Sequence, residues 1–257
     1  MSHSTRLIVA GVLAPLLALA SAPATPPVPR TLSLSGQIEI TVDTYPAEGR
    51  FLLLWIAPGF GFRPAHPQTA ARLAAAGLEV WLADVAEALF LPRGSRSMRE
   101  LDGTYVADLI ERAHSATGKA VVLVGGSYGA IPALRGARAW QARAPARPYL
   151  TGAVLFSPNA YARVPPLGAD PQYLPIVRTT RLPIAILQGE RNANRWQLPR
   201  LREALESGGS PVHVTLLPEV TGLFFQEPDE PWPAAAQREI DALPGRLARL
   251  LPLLERT

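Results

Sequence analysis

The sequence predicts an α/β protein, built on a mostly parallel central sheet with helices on both faces. Three observations carry this expectation. Strand-like apolar runs alternate with helical periodicity from residue 32 onward, the pattern of crossover units that cover both faces of a sheet. Two of those runs, Phe51–Ile56 and Val121–Val124, are continuous rather than alternating, as strands buried on both faces must be. No repeat or internal linker divides the stretch, so residues 32–257 are expected to form a single domain.

The chain opens with Arg6, an apolar run from Leu7 to Leu19, and Ala18-Leu19-Ala20 before Ser21. A basic start, a short apolar segment and an A-x-A site predict a signal peptide over residues 1–20. Export to the periplasm or beyond follows, with an uncleaved anchor as the alternative. The apolar run is shorter than the about 20 residues of a membrane-spanning helix, so no stable span is expected after cleavage. Residues 21–31 are proline-rich and read as a linker.

Alternation through Ile38, Ile40 and Val42 predicts an edge hairpin within Leu32–Tyr45. The strand Phe51–Ile56 runs into Pro58-Gly59-Phe60-Gly61, and a helix from about Pro67 to Ala76 is closed by Gly77. Glu79–Val85 is the next strand. Residues 97–117 carry Leu101, Tyr105 and Leu109 and read as one long amphipathic helix ending at Gly118. Beyond the strand at Val121 lie a helix, a strand at Leu150–Phe156 and the proline-bearing segment 159–180. That segment is long enough for a loop over a site, and equally for a plain surface excursion. Strands at Leu182–Gln188 and Val212–Leu217, a helix between them and a helix from about Pro233 complete the chain.

Composition narrows the chemistry. A 48% apolar chain has material for a sizeable core. The net charge of +4 comes almost wholly from scattered arginines, with Lys119 the sole lysine, so no basic tract points to nucleic acid. The absence of cysteine excludes disulfides, thiol nucleophiles and thiolate-bound metals. No H-E-x-x-H or similar spacing suggests a metal, and no cofactor is expected.

The chemistry-bearing stretch is Gly125-Gly126-Ser127-Tyr128-Gly129, a G-x-S-x-G set between a strand and a helical pattern. That context is a nucleophile elbow, in which a sharp turn exposes the serine and small neighbours let strand and helix approach. The following helix N-terminus offers backbone N–H groups to a developing oxyanion.

With this elbow, the glycine-bearing loop at Pro58–Gly61 and two later strand–helix units, the chain resembles the α/β-hydrolase superfamily from about residue 32 to its end. It is also similar, through weaker motifs, to the virulence-protein J group of periplasmic hydrolases. The resemblance implies Ser127 as nucleophile and an oxyanion hole from the N–H groups of Tyr128 and a residue near Phe60. It also implies an acid after Ile186–Gly189 and a histidine after the last strand. The acid position falls on Asn192 and the histidine position on Gly222, and no histidine follows. Of the four histidines, only His66 has a route to Ser127 as a substitute base, and Glu190 is the nearest substitute acid. An unassisted serine hydroxyl is a poor nucleophile at neutral pH. The expectation is therefore an ester- or acyl-directed hydrolase of weak or non-standard activity, or a non-catalytic periplasmic ligand-binding or accessory protein that keeps the pocket.

Overall fold

A computed structural model describes residues 26–143, 148–166, 168–224 and 232–255. The expected signal peptide lies outside the described residues. Eight strands form one sheet in the order β1-β2-β4-β3-β5-β6-β7-β8. The strands β1 (Val28–Leu34) and β2 (Ile38–Tyr45) make the edge hairpin, and β2 pairs antiparallel with β4 (Glu79–Ala83). From β4 the sheet is parallel through β3 (Phe51–Ile56), β5 (Ala120–Gly126), β6 (Leu150–Phe156), β7 (Ile184–Gly189) and β8 (Val212–Leu217).

Side-chain alternation divides the core into two layers. On β3, Leu52, Leu54 and Ile56 pack with Val106, Leu109, Ile131 and Leu134 of two helices on one face. Leu53 and Trp55 face the other way, against Leu73, Leu243 and Leu247. A strand apolar at every position is thus covered on both sides, which is why it reads as a continuous run. The helices are α1 (Ala65–Ala75), α2 (Val85–Ala88), α3 (Ser95–Glu100), α4 (Gly103–Thr117), α5 (Ala130–Arg143), α6 (Leu198–Ser207) and α7 (Ala234–Leu250). None of the described helices is long and apolar enough to cross a membrane.

Several boundaries differ from the sequence reading: β4 stops at Ala83, with Val85 opening α2, β7 runs Ile184–Gly189, and three more differences follow. The first strand starts at Val28, four residues inside the expected linker; Pro29 is tolerated because β1 is an edge strand. The long helix over 97–117 is two helices, broken at Leu101–Asp102. The Asp102 carboxylate caps α4 by accepting from Thr104 N–H at 2.9 Å. Gly103 then lies so close to α5 that a Cβ would come within 2.4 Å of the Arg135 carbonyl oxygen. Third, α1 begins at Ala65, so His66 sits in its first turn rather than in a loop.

Candidate active site

The parallel strands end together, and polar residues just beyond their C-termini line a cavity of about 850 Å³. Ser127 enters it directly from β5, with the backbone at φ 50°, a left-handed conformation that a serine rarely adopts. Its glycine neighbours make that turn possible. A Cβ on Gly125 would lie 2.8 Å from the Gly129 carbonyl oxygen, and one on Gly129 would lie 2.8 Å from that of Ala57. Strand, turn and α5 can close up only with hydrogen at both positions.

The Ser127 hydroxyl is held by an amide. Asn159, beyond the end of β6, donates from Nδ2 to Ser127 Oγ at 3.1 Å, and its backbone N–H donates to the Ser127 carbonyl at 2.9 Å. Asn194 in turn donates to Asn159 Oδ1. Asn192 completes the series: its Oδ1 accepts from Asn194 N–H at 2.9 Å and its Nδ2 donates to the Thr221 carbonyl at 2.7 Å. A chain of three asparagines thus runs from Ser127 to the turn after β8. An amide donates or accepts hydrogen bonds but does not take a proton near neutral pH. The chain can orient the hydroxyl without activating it.

Asn192 and Gly222, the positions the resemblance gives to acid and histidine, both line the cavity. Leu223 and Phe224 beside them are buried. The Phe224 ring packs on Trp55 at 5.0 Å, Phe156 at 5.1 Å and His66 at 4.8 Å between centroids. An aromatic cluster therefore occupies the wall after the last strand. His66 lies within it, 3% exposed, with Nδ1 accepting from Arg63 N–H at 2.9 Å. Burial lowers its pKa to about 4, so the ring is neutral at physiological pH. It lines the cavity, but no hydrogen bond joins it to Ser127 among the described residues. Glu190 is not among the residues that line the cavity; its carboxylate accepts from Glu219 N–H at 3.2 Å. The other two described histidines serve elsewhere: His114 Nδ1 pairs with the Lys119 carbonyl at 2.9 Å, and His213 is exposed on β8.

The loop at Pro58–Gly61 forms one wall. Gly61 N–H closes its turn onto the Pro58 carbonyl at 2.8 Å, and Gly94 N–H donates to the Gly59 carbonyl at 2.7 Å. Phe60 lines the cavity and is 67% exposed, whereas the Tyr128 ring lies away from the cavity, 5.5 Å from the Arg99 guanidinium. Of the described residues of the segment 159–180, only Asn159 lines the cavity. The rest turns back through a Tyr161–Tyr173 bridge, and Val177 is buried in the core with α5 and α6. Among its described residues the segment is a mostly exposed surface excursion rather than a cover.

The elbow, the strand order and the cavity at the C-terminal ends of the strands decide the fold. The chain has the α/β-hydrolase fold. Solved structures bear this out across most of the chain. A Pyrobaculum calidifontis esterase superposes with a TM-score of 0.64 at 14% identity, covering 90% of this chain and 87% of its own. A hormone-sensitive lipase from a metagenome library gives 0.59 at 16% identity, with coverage of 88% and 87%. A protein assigned as a dienelactone hydrolase from Klebsiella pneumoniae subsp. pneumoniae MGH 78578 gives 0.58 at 15%, with coverage of 91% and 100%. No protein-family model and no curated protein matches the sequence. Within the α/β-hydrolase fold, sequence reasoning missed Asn159 and Asn194. A usable signal existed for the first: Ser157-Pro158-Asn159 follows a buried parallel strand, where such sheets place ligand-facing residues.

Proposed function

We propose that the protein is exported and binds a small ester- or acyl-bearing ligand beside Ser127, with slow hydrolysis or none. The observation that carries this is the amide chain: the group hydrogen-bonded to Ser127 Oγ is Asn159 Nδ2, not an imidazole. Removing the base from such a constellation eliminates most of the rate and leaves a residual acceleration of about 10³–10⁴ over water from binding and the oxyanion hole. Phe60 and Tyr128 N–H groups are the proposed oxyanion donors. A ligand carbonyl placed there would be polarised and held but would meet no activated nucleophile.

A second reading, slow acyl transfer through Ser127, has one observation in its favour. Ser127 keeps a strained left-handed backbone, and such strain persists where it serves a site. In that case His66 is the proposed base and Glu190 the proposed acid, reached by rearrangement of the aromatic wall. Steady-state hydrolysis of an activated aryl ester separates the two. Binding without Ser127-dependent turnover is expected. Turnover at ordinary enzymatic rates that Ser127→Ala abolishes would reject the binding reading, and its loss in His66→Ala would identify the base.

A further inference from the structure

The rim of the cavity carries a charge arrangement that the elbow does not require. Among the described lining residues are three arginines, Arg63, Arg191 and Arg238, against a single carboxylate, Glu219. Glu219 sits between two of them: Oε2 is 2.7 Å from Arg238 Nη2 and Oε1 is 3.5 Å from Arg191 Nη2. Its backbone is left-handed, at φ 60°, and its N–H is fixed by Glu190 Oε2. Three of the five described non-glycine residues with positive φ, namely Ser127, Ser157 and Glu219, line this one cavity. Strain concentrated in this way marks positions that the surrounding fold over-determines for a site.

The two ion pairs are poorly protected. The side chains of Arg191, Glu219 and Arg238 are 65%, 53% and 62% exposed, and pairs this open contribute little to stability. An incoming anion can replace the carboxylate at small cost. Farther in, Phe156, Val220, Leu223 and Phe224 supply apolar wall, and the buried His66 ring is uncharged at neutral pH.

We propose that the ligand is an anionic amphiphile. Its head takes the place of the Glu219 carboxylate between Arg191 and Arg238, and its apolar chain lies along the aromatic wall toward Ser127. Glu219 is then an internal stand-in for the ligand head. The inference rests on the cavity being a ligand site and adds the class of ligand to it. A carboxylate and a phosphate monoester share the chemistry that two guanidiniums recognise.

Isothermal titration calorimetry of the purified protein tests this with octanoate, octyl phosphate and octyltrimethylammonium, each below its micellar concentration, and with octan-1-ol below its solubility limit. At least one anion should bind about tenfold or more tightly than octanol, the order expected of a charge-assisted contact. Octyltrimethylammonium should bind more weakly than both anions. Whichever anion binds tighter identifies the head as carboxylate or phosphate. Arg191→Gln and Arg238→Gln should each weaken the anion several-fold and leave octanol unchanged, while Glu219→Gln should tighten it. Equal affinity for octanol and the anions, or arginine variants that bind anions like wild type, would overturn the anionic head while leaving the cavity as a ligand site. Failure of all four probes, and of ethyl octanoate, would overturn the ligand site itself and the anion proposal with it.

Discussion

Ser127 is presented by strain and, in the proposed reading, left without activation. Its φ of 50° aims the hydroxyl into the cavity, and the hydrogen bond it receives comes from an amide. The serine, its two glycines and the places of Asn192 and Gly222 beside the cavity were legible because each belongs to a local motif. The partner at Oγ was not, since Asn159 and Asn194 lie on different strand ends and meet only when β5, β6 and β7 align. His66 also shows what a sequence conceals: a histidine in a proline-bearing loop looks accessible, and only packing encloses it among Trp55, Phe62 and Phe224. That enclosure has a measurable consequence. With a folded pKa of about 4 against 6.5 unfolded, the unfolded chain takes up the proton first as pH falls. The stability associated with neutral His66 is complete above the unfolded value and is lost between pH 6.5 and 4. The loss totals about 3 kcal/mol at about 1.4 kcal/mol per unit. Denaturant unfolding at pH 7 and pH 4.5 should show this fall, and His66→Phe should reduce it; equal pH dependence in both would refute the assignment.

At the scale of elements, the site depends on close approaches between turns. Gly129 faces the Ala57 and Ile56 carbonyls, backbone against backbone, so neither side can yield as a side chain would. Gly129→Ala should cost about 1–3 kcal/mol by urea unfolding, as overpacking does, and unchanged stability would mean the elbow is looser than described. Asn192 joins the turns after β7 and β8 through its bond to the Thr221 carbonyl. Replacing it with aspartate, the residue the resemblance expects, sets a carboxylate against that carbonyl. Asn192→Asp should therefore lose about 1 kcal/mol at this half-exposed place rather than improve the site. A second fixed point lies at the opposite end of the sheet. There the sole lysine, Lys119, reaches Glu79 at 2.6 Å with side chains 15% and 9% exposed, and Glu79 also accepts from Trp81 Nε1 at 2.8 Å. Lys119→Met leaves that carboxylate buried and unpaired and should cost about 3–5 kcal/mol, with Glu79→Leu in the same chain restoring most of it.

For the whole molecule, the parallel sheet and its two covered faces followed from periodicity alone, because burial on both sides makes the central strands apolar at every position. The break at Leu101–Asp102 escaped that reasoning: Asp102 caps α4 there and Gly103 passes close to α5, a tertiary contact with no helical period of its own. The cavity likewise gathers residues from the ends of β3, β5, β6, β7 and β8 and from the start of α7. The fold thus supplies a complete elbow and a roomy pocket, and in the proposed reading the asparagine chain takes the place of the proton acceptor. Intact-mass spectrometry during exposure to a serine-directed fluorophosphonate tests this most directly, since one adduct at Ser127 requires an activated hydroxyl. Wild type should stay largely unmodified over a period that fully labels an ordinary serine esterase, and should match Ser127→Ala. Rapid, stoichiometric labelling of wild type that Ser127→Ala eliminates would show an activated serine and contradict the account.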